Sequence, residues 1–518
     1  MRAKSSCLAA VLCTLFAVAD QPICAGEMPW VVVSPDKTGF VLESNGKSFI
    51  PWGFNYDHDD AGRLIEDYWE SEWPAVETHF SQIKKLGANV VRIHLQLGKF
   101  MDGPDKPNKQ ALDRLAVLLT LAENHGLYLD LTGLGCYHKQ DVPAWYDTLG
   151  EKDRWDVQAR FWQAVAATCA KSSAVFCYDL MNEPVVPGGK RMDGEWLGPA
   201  FAGKHFVQFI TLDQQDRPRP EVARAWVKHL AQAIREKDKR HLLTVGLVDW
   251  SLDRPGLTSG FVPEKIAGDL DFLCVHLYPE TGKLDAAIQT LAGFSVGKPV
   301  IIEETFPLKC SLDEFAQFIQ SSEKHACGWI GFYWGQPPEE LRRSTEIKDA
   351  LLLGWLDFFV KKTRQRAQAA LFSQIDKLKQ LGARLTLDEP NQVVSVHLGE
   401  RPVTDADLVH LRGLQDLQEL DLTRTKITAA GLANVKDLSS LTKLFLTDTK
   451  VDDSGIAQLK GMENLEMVGL SGTRITDAAL DHLRELKELK QVFCLGTSVT
   501  DAGVEKLRRA LPQCEVIH

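Results

Sequence analysis

The sequence predicts an α/β protein in two parts, a (β/α)8 barrel followed by a short solenoid of repeated coils. Three observations carry this. The chain has 518 residues, too many for one compact core. Between Met28 and Val360, eight short apolar segments alternate with amphipathic helical stretches, the pattern of a closed barrel rather than an open sheet. From Val403 onward, one motif recurs at a constant interval of 24 residues.

The elements follow in chain order. Arg2 and Lys4 precede an apolar run from Cys7 to Ala19, and Ala17-Val18-Ala19 is an A-x-A cleavage signal. Residues 1–19 therefore read as a signal peptide, and the mature chain as secreted, periplasmic or exposed at the cell surface. The eight strand candidates are Phe49–Tyr56, Asn89–Leu95, Tyr128–Leu134, Val175–Glu183, His241–Val248, Asp271–Tyr278, Pro299–Thr305 and Gly328–Gly335. Helical stretches such as Asn108–His125, Trp155–Ala170, Arg219–Lys237 and Leu312–His325 lie between them, and Gly126 is a C-terminal stop for the first of these. The barrel domain spans residues 28–362. Lys361 to Leu381 is helical in pattern, through Ala369, Phe372, Ile375 and Leu378, and ends at Gly382. With the turn Asp388-Glu389-Pro390-Asn391 it makes residues 363–392 a helical cap or linker.

Residues 393–518 carry the repeats. The spacing L-x-x-L-x-x-L-x-L-x-x-T is filled by Leu414, Leu417, Leu420, Leu422 and Thr425, then by Leu438, Leu441, Leu444, Leu446 and Thr449, and twice more down to Leu486, Leu489, Val492, Cys494 and Thr497. This is the leucine-rich-repeat signature: each coil pairs a short strand with a helix such as Ala429 to Leu438, and coils stack because one alone cannot bury its Leu face. The Thr hydroxyl suits the backbone groups at the turn between coils, and Cys494, at a Leu position, reads as core filler. The repeats carry no catalytic constellation and read as a structural or partner-binding appendage, for a protein or a glycan.

A formal net charge of −11 excludes a nucleic-acid partner, because phosphates require clustered Lys and Arg. No stretch is long and apolar enough for a membrane span. The 11 cysteines contain no C-x-x-C, which argues against a zinc or thioredoxin-like site, and buried free thiols are the commoner reading of those within apolar strands.

Chemistry in a barrel of this kind sits at the C-terminal ends of the strands. Those ends hold Asn55, Arg92, His94, Asn182, Glu183, His276, Tyr278, Glu303, Glu304 and Trp334. Carboxylates on strands four and seven face each other across a barrel mouth, so Glu183 and Glu304 converge on the arrangement that glycosidic cleavage needs: one group to protonate the leaving oxygen, the other to attack or to activate water. Glu303 is the rival of Glu304. Side chains alternate faces along a strand, so only one of the two is expected to point inward.

Asn182-Glu183-Pro184 after an apolar strand resembles the acid/base motif of glycoside hydrolase family 5, a cellulase- and mannanase-like family of (β/α)8 enzymes. Pro299-Val-Ile-Ile-Glu-Glu304 is similar to its nucleophile strand. Gly46 to Asn55, Val91-Arg92-Ile93, His276-x-Tyr278 and Trp334 match further family positions in order, from about residue 38 to 340. The resemblance implies a retaining, double-displacement hydrolase of β-linked polysaccharide or oligosaccharide, of the β-glucan or β-mannan type. Glu183 is then the acid/base and Glu304 the nucleophile. Arg92 and Tyr278 hold Glu304 ionised, Asn182 bonds the sugar 2-hydroxyl, His276 positions the acid/base side, and Trp334 floors the subsite. No metal or organic cofactor is implied. Two departures stand out: where many members carry His on strand three, this chain reads Asp130-Leu131-Thr132, with Tyr137 or His138 as substitutes, and Glu304 is followed by Thr305-Phe306 rather than Phe-Gly. Trp52, Trp69, Trp73, Tyr137, Trp145 and Trp250 are each sugar platforms or plain packing. The rival functions are a non-catalytic glycan- or protein-binding module, and a transglycosylase using the same two glutamates.

Overall fold

The structure, a computed structural model, describes residues 28–56, 58–59, 61–254, 257–332, 334–388 and 392–518. The expected signal peptide and residues 389–391 of the expected turn lie outside them. Contacts divide the chain into two units, one ending at Thr363 and one running from Arg364 to His518.

The first unit is a closed barrel of eight parallel strands. They are β1 (Trp52–Asn55), β2 (Val90–Gln96), β3 (Tyr128–Gly135), β4 (Val175–Asn182), β5 (Leu242–Val248), β6 (Leu273–His276), β7 (Val300–Thr305) and β8 (Trp329–Gly331). Each is fully buried, as strands covered by helices on one face and packed side chains on the other must be. All eight expected strands are present. The first is shorter than Phe49–Tyr56 because the chain breaks at Pro51: Ser48–Phe49 instead joins a small antiparallel sheet with Val31–Val33 and Phe40–Leu42. Phe40 and Phe49 meet Phe176, Phe272 and Tyr128 edge-on, which gives this part of the barrel an aromatic core of its own. The last strand is likewise shorter than expected, so Trp334 lies beyond β8 rather than at its end.

The helices form where capping and periodicity coincide. Lys109–His125 starts at Asn108, whose side chain accepts the Ala111 amide, and stops at Gly126 in the left-handed conformation. Ser311 and Glu314 make a reciprocal capping box at Leu312–Ser322. The expected cap helix is part of a longer one, Ile347–Gln380, whose Trp355, Leu356 and Phe359 pack in the barrel core.

The second unit is a seven-stranded sheet. Its strands are β9 (Arg384–Asp388), β10 (Gln392–His397), β11 (Glu419–Asp421), β12 (Lys443–Phe445), β13 (Met467–Gly469), β14 (Gln491–Phe493) and β15 (Glu515–Ile517). β9 pairs antiparallel with β10, so the segment expected as a helical cap is strand from Arg384 onward. The rest are parallel, in a register that advances by one repeat: Leu420 faces Leu444, Leu444 faces Val468, and Val468 faces Val492. The repeat helix at Ala429 is shorter than expected, Ala429–Leu432 rather than Ala429 to Leu438. Thr425, Thr449, Thr473 and Thr497 each donate to the carbonyl three residues back, and Cys494 is buried in the core as a free thiol. Among the described residues no helix is long and apolar enough to cross a membrane.

Candidate active site

Five strands, β2, β3, β4, β6 and β7, bring titratable groups together in the barrel interior. β2 supplies Arg92, wholly buried. A buried cation is tolerated only with partners, and Arg92 has several. Its Nη1 donates to Asn55 Oδ1 and Glu304 Oε1, each at 2.9 Å, and its Nη2 to Asp179 Oδ2 at 2.8 Å and Asn182 Oδ1 at 3.1 Å. Glu303 lies 3.4 Å from Nη2.

β4 ends in Asn182-Glu183. Glu183 has φ +45°, a left-handed conformation that costs a non-glycine residue about 1–3 kcal/mol. Its amide donates to the Gly246 carbonyl at 3.0 Å, which ties this turn to β5. Its Oε1 meets His276 Nδ1 at 3.0 Å, and its side chain remains 17% exposed, open to a substrate. Asn182 is buried, with its amide donating to the Phe206 carbonyl at 3.1 Å.

β7 supplies the adjacent pair Glu303 and Glu304, and here the structure corrects the alternation argument: both carboxylates point inward. Pairing with β6 runs Val275 to Ile302 and then His276 to Glu304, and pairing with β8 runs Ile302 to Trp329 and then Thr305 to Gly331. One extra residue in β7 makes a bulge, which re-aims side chains that a regular strand would send to opposite faces. Glu304 Oε2 accepts the Tyr278 hydroxyl at 2.8 Å, while Glu303 Oε2 faces His276 Nε2 at 3.3 Å. The Glu183 and Glu304 oxygens come within 4.8 Å of each other.

The electrostatics follow from burial and crowding. Burial pushes the Glu304 carboxyl up, opposed by His276 and Arg92. Burial lowers the His276 imidazole, but Glu304, Glu183 and Glu303 outweigh it and raise the ring to about 10. Asp179 is raised to about 6, first by burial and then by Glu303. One donor atom each from Glu183, His276 and Glu304 would span a small cation. Two carboxylates and an imidazole this close also suit proton chemistry, since each can hold or release a proton.

Of the residues predicted from sequence, Arg92, Asn182, Glu183, His276, Tyr278 and Glu304 converge. Trp334 does not present a platform: it is wholly enclosed, edge-on to Phe54 and His79, with no face open to a sugar. Trp52 stacks on Phe359, and Trp69 is buried against Phe100. Trp250, in the turn after β5, keeps partial exposure. Of the two substitutes on strand three, Tyr137 is buried and its hydroxyl contacts His94, whereas His138 lines a separate cavity of about 250 Å³ with Gln96, Lys99 and Cys136. Sequence reasoning missed Asp179, Asp130 as a member of the cluster, and Gly246. Asp179 carried a signal, an acid inside an apolar strand. At Gly246 a Cβ would sit 3.0 Å from His276 Nε2, so glycine leaves room for the buried cluster.

Residues 43–337 match the profile of Cellulase (glycosyl hydrolase family 5). No curated protein matches the sequence. Among solved structures, the chain is similar to an exo-β-1,4-mannosidase from Opitutaceae bacterium strain TAV5, with 15% identity, a TM-score of 0.49, and 86% of this chain and 79% of that one covered. It is also similar to the β-mannanase of the blue mussel Mytilus edulis, with 16% identity, a TM-score of 0.44, and 64% and 96% covered. A third is the β-1,4-mannanase of the sea hare Aplysia kurodai, with 18% identity, a TM-score of 0.42, and 58% and 92% covered.

Proposed function

The chain belongs to glycosyl hydrolase family 5 and is a glycoside hydrolase, and on that premise we propose that it cleaves β-linked glycans of the β-glucan or β-mannan type with retention of configuration, through Glu304 and Glu183. The observation that carries this reading is the approach of the two carboxylates to within 4.8 Å. Retaining enzymes set their carboxyls about 5–5.5 Å apart, and inverting ones need roughly 6.5–9.5 Å to admit a water.

In this mechanism Glu304 attacks the anomeric carbon while Glu183 gives its proton to the departing oxygen. Glu183 then takes a proton from water, the hydroxyl displaces Glu304, and the configuration is restored. Arg92 and Tyr278 bond the two oxygens of Glu304 and favour its ionised form. His276 orients Glu183. Asn182, fixed by Arg92 and the Phe206 carbonyl, turns its remaining amide hydrogen to the sugar 2-hydroxyl. The second unit is read as a leucine-rich-repeat solenoid that serves as a binding appendage for a glycan or protein, and the chain as exported through its N-terminal segment.

The test is reducing-end release by the purified full chain from β-glucans, β-mannans and aryl β-glycosides, with the anomer of the first product read by NMR. Glu304→Gln and Glu183→Gln are expected to lose on the order of 10³-fold or more in kcat. Wild-type activity in both variants, or an inverted first product, would defeat the assignment.

A further inference from the structure

Glu303 takes no part in the reaction as written, yet it is as deeply buried as any group in the barrel. Its surroundings define a role. His276 has a carboxylate on each ring nitrogen: Glu183 Oε1 at 3.0 Å from Nδ1, and Glu303 Oε2 at 3.3 Å from Nε2. A neutral imidazole carries one N–H, so one of these carboxylates would face a lone pair. With no proton on either of those two oxygens, the arrangement is satisfied only by a ring protonated at both nitrogens. Arg92, Glu304 and the neutral Tyr278 are further charged or titratable groups about it.

Beneath Glu303 lies a second clue. Among the described residues, neither Glu303 Oε1 nor Asp130 Oδ2 has an N–H or O–H donor, although both are buried. The two side chains are within hydrogen-bond reach of each other. The other Asp130 oxygen accepts the Cys177 thiol at 3.1 Å. Two ionised carboxylates with facing, unsolvated oxygens repel strongly, and a single proton between them satisfies both.

We infer that Glu303 is a positioning residue: its carboxylate, braced from below by a proton carried on Asp130, fixes the His276 ring as an imidazolium whose Nδ1–H is aimed at Glu183. The inference rests on the reading of Glu183 as acid/base. With Oε1 held by the ring, Oε2 of Glu183 is the oxygen left to carry the proton to the leaving group. No proton travels along the chain from Asp130 during turnover; the chain sets geometry and charge.

The experiment is NMR of the full chain with ¹⁵N-labelled histidine, with the His276 signals identified by their loss in His276→Asn. In the wild type both ring nitrogens are expected to be protonated at about pH 8, well above the usual histidine range. Glu303→Gln is expected to lower the His276 midpoint by roughly 2 pH units or more. It should also cut kcat roughly 10- to 100-fold, the scale seen when a residue that orients a functional histidine is lost, with KM little changed. Asp130→Asn keeps a neutral donor toward Glu303, so the His276 midpoint stays where it is in the wild type. A neutral wild-type ring at that pH, or an unmoved midpoint in Glu303→Gln, overturns the inference. A midpoint that moves as far in Asp130→Asn as in Glu303→Gln overturns the shared proton. Ring charge is read without turnover, so these failures leave the assignment of Glu183 standing, and an inactive wild type would sink that assignment without touching the ring.

Discussion

The two units handle polar groups in opposite ways. Inside the barrel, Arg92, Asp130, Asp179, His276, Glu303 and Glu304 are all buried within one connected cluster. Among the described residues of the second unit the buried polar side chains are three threonines and one serine, and each threonine hydroxyl closes a local bond to a carbonyl three residues back. The barrel holds charge where water cannot reach it, which requires simultaneous partners from many strands. The repeats bury Leu, Ile and Val and ask nothing of distant sequence beyond the next copy. A cluster of the first kind is costly to build and suits chemistry; a stack of the second kind is easily extended and suits architecture.

The comparison can be broken at its strongest point first. Arg92→Met removes a permanent cation from a site with three neighbouring carboxylates, Asp179, Glu303 and Glu304. We expect a loss of about 3–5 kcal/mol in urea unfolding, from uncompensated buried charge rather than lost volume. The counterpart in the repeats is Leu444→Ala, at a fully buried position. A loss of about 2–5 kcal/mol is expected there, indifferent to pH because only packing is removed. If the Leu444 variant were pH-sensitive and the Arg92 variant were not, the contrast drawn here would fail.

A third change sharpens the point that buried charge in the barrel is a liability away from its cluster. Glu66 is buried near the end of β2 and accepts the Gln96 backbone amide at 2.7 Å and its side-chain amide at 3.2 Å. Burial raises its carboxyl to about 7. The folded state therefore holds a proton that the unfolded chain has released, so stability falls as pH rises from the ordinary carboxylate range to about 7. Glu66→Gln should be more stable than the wild type by up to about 3 kcal/mol above that window, with the gain vanishing below it. Urea midpoints on both sides of the window decide it; an equal difference at both ends would mean the carboxyl titrates normally.

Much of the frame was legible in the sequence for a physical reason. A barrel strand buried on both faces is built on an apolar run, and Val175–Tyr178 and Val300–Ile302 are such runs, ahead of the polar residues that form the site. A sheet whose register advances by one repeat per strand must repeat its own spacing, and Leu420, Leu444 and Val468 do so. What could not be read was set by irregularity. Alternation along β7 predicts that only one of Glu303 and Glu304 faces inward, but a single extra residue, invisible in composition, turns both inward. Trp334 was expected to line the site because of its place in the chain. The last strand ends at Gly331, and the indole packs away between Phe54 and His79. Pro51, which has no amide hydrogen to continue a ladder, is a break that the expected strand Phe49–Tyr56 ran across.

The backbone at Glu183 has a consequence for how this protein would respond to improvement. A left-handed φ of +45° there is a local preference overruled by the fold, and glycine or asparagine would relieve it. Selection for thermal resistance alone would therefore push position 183 toward those residues. The survivors would be sturdier, and by the assignment above they would be idle. A laboratory lineage evolved for heat tolerance would keep its glutamate only if turnover were scored in every round, because the molecule's interest in lasting and its interest in working diverge at that residue.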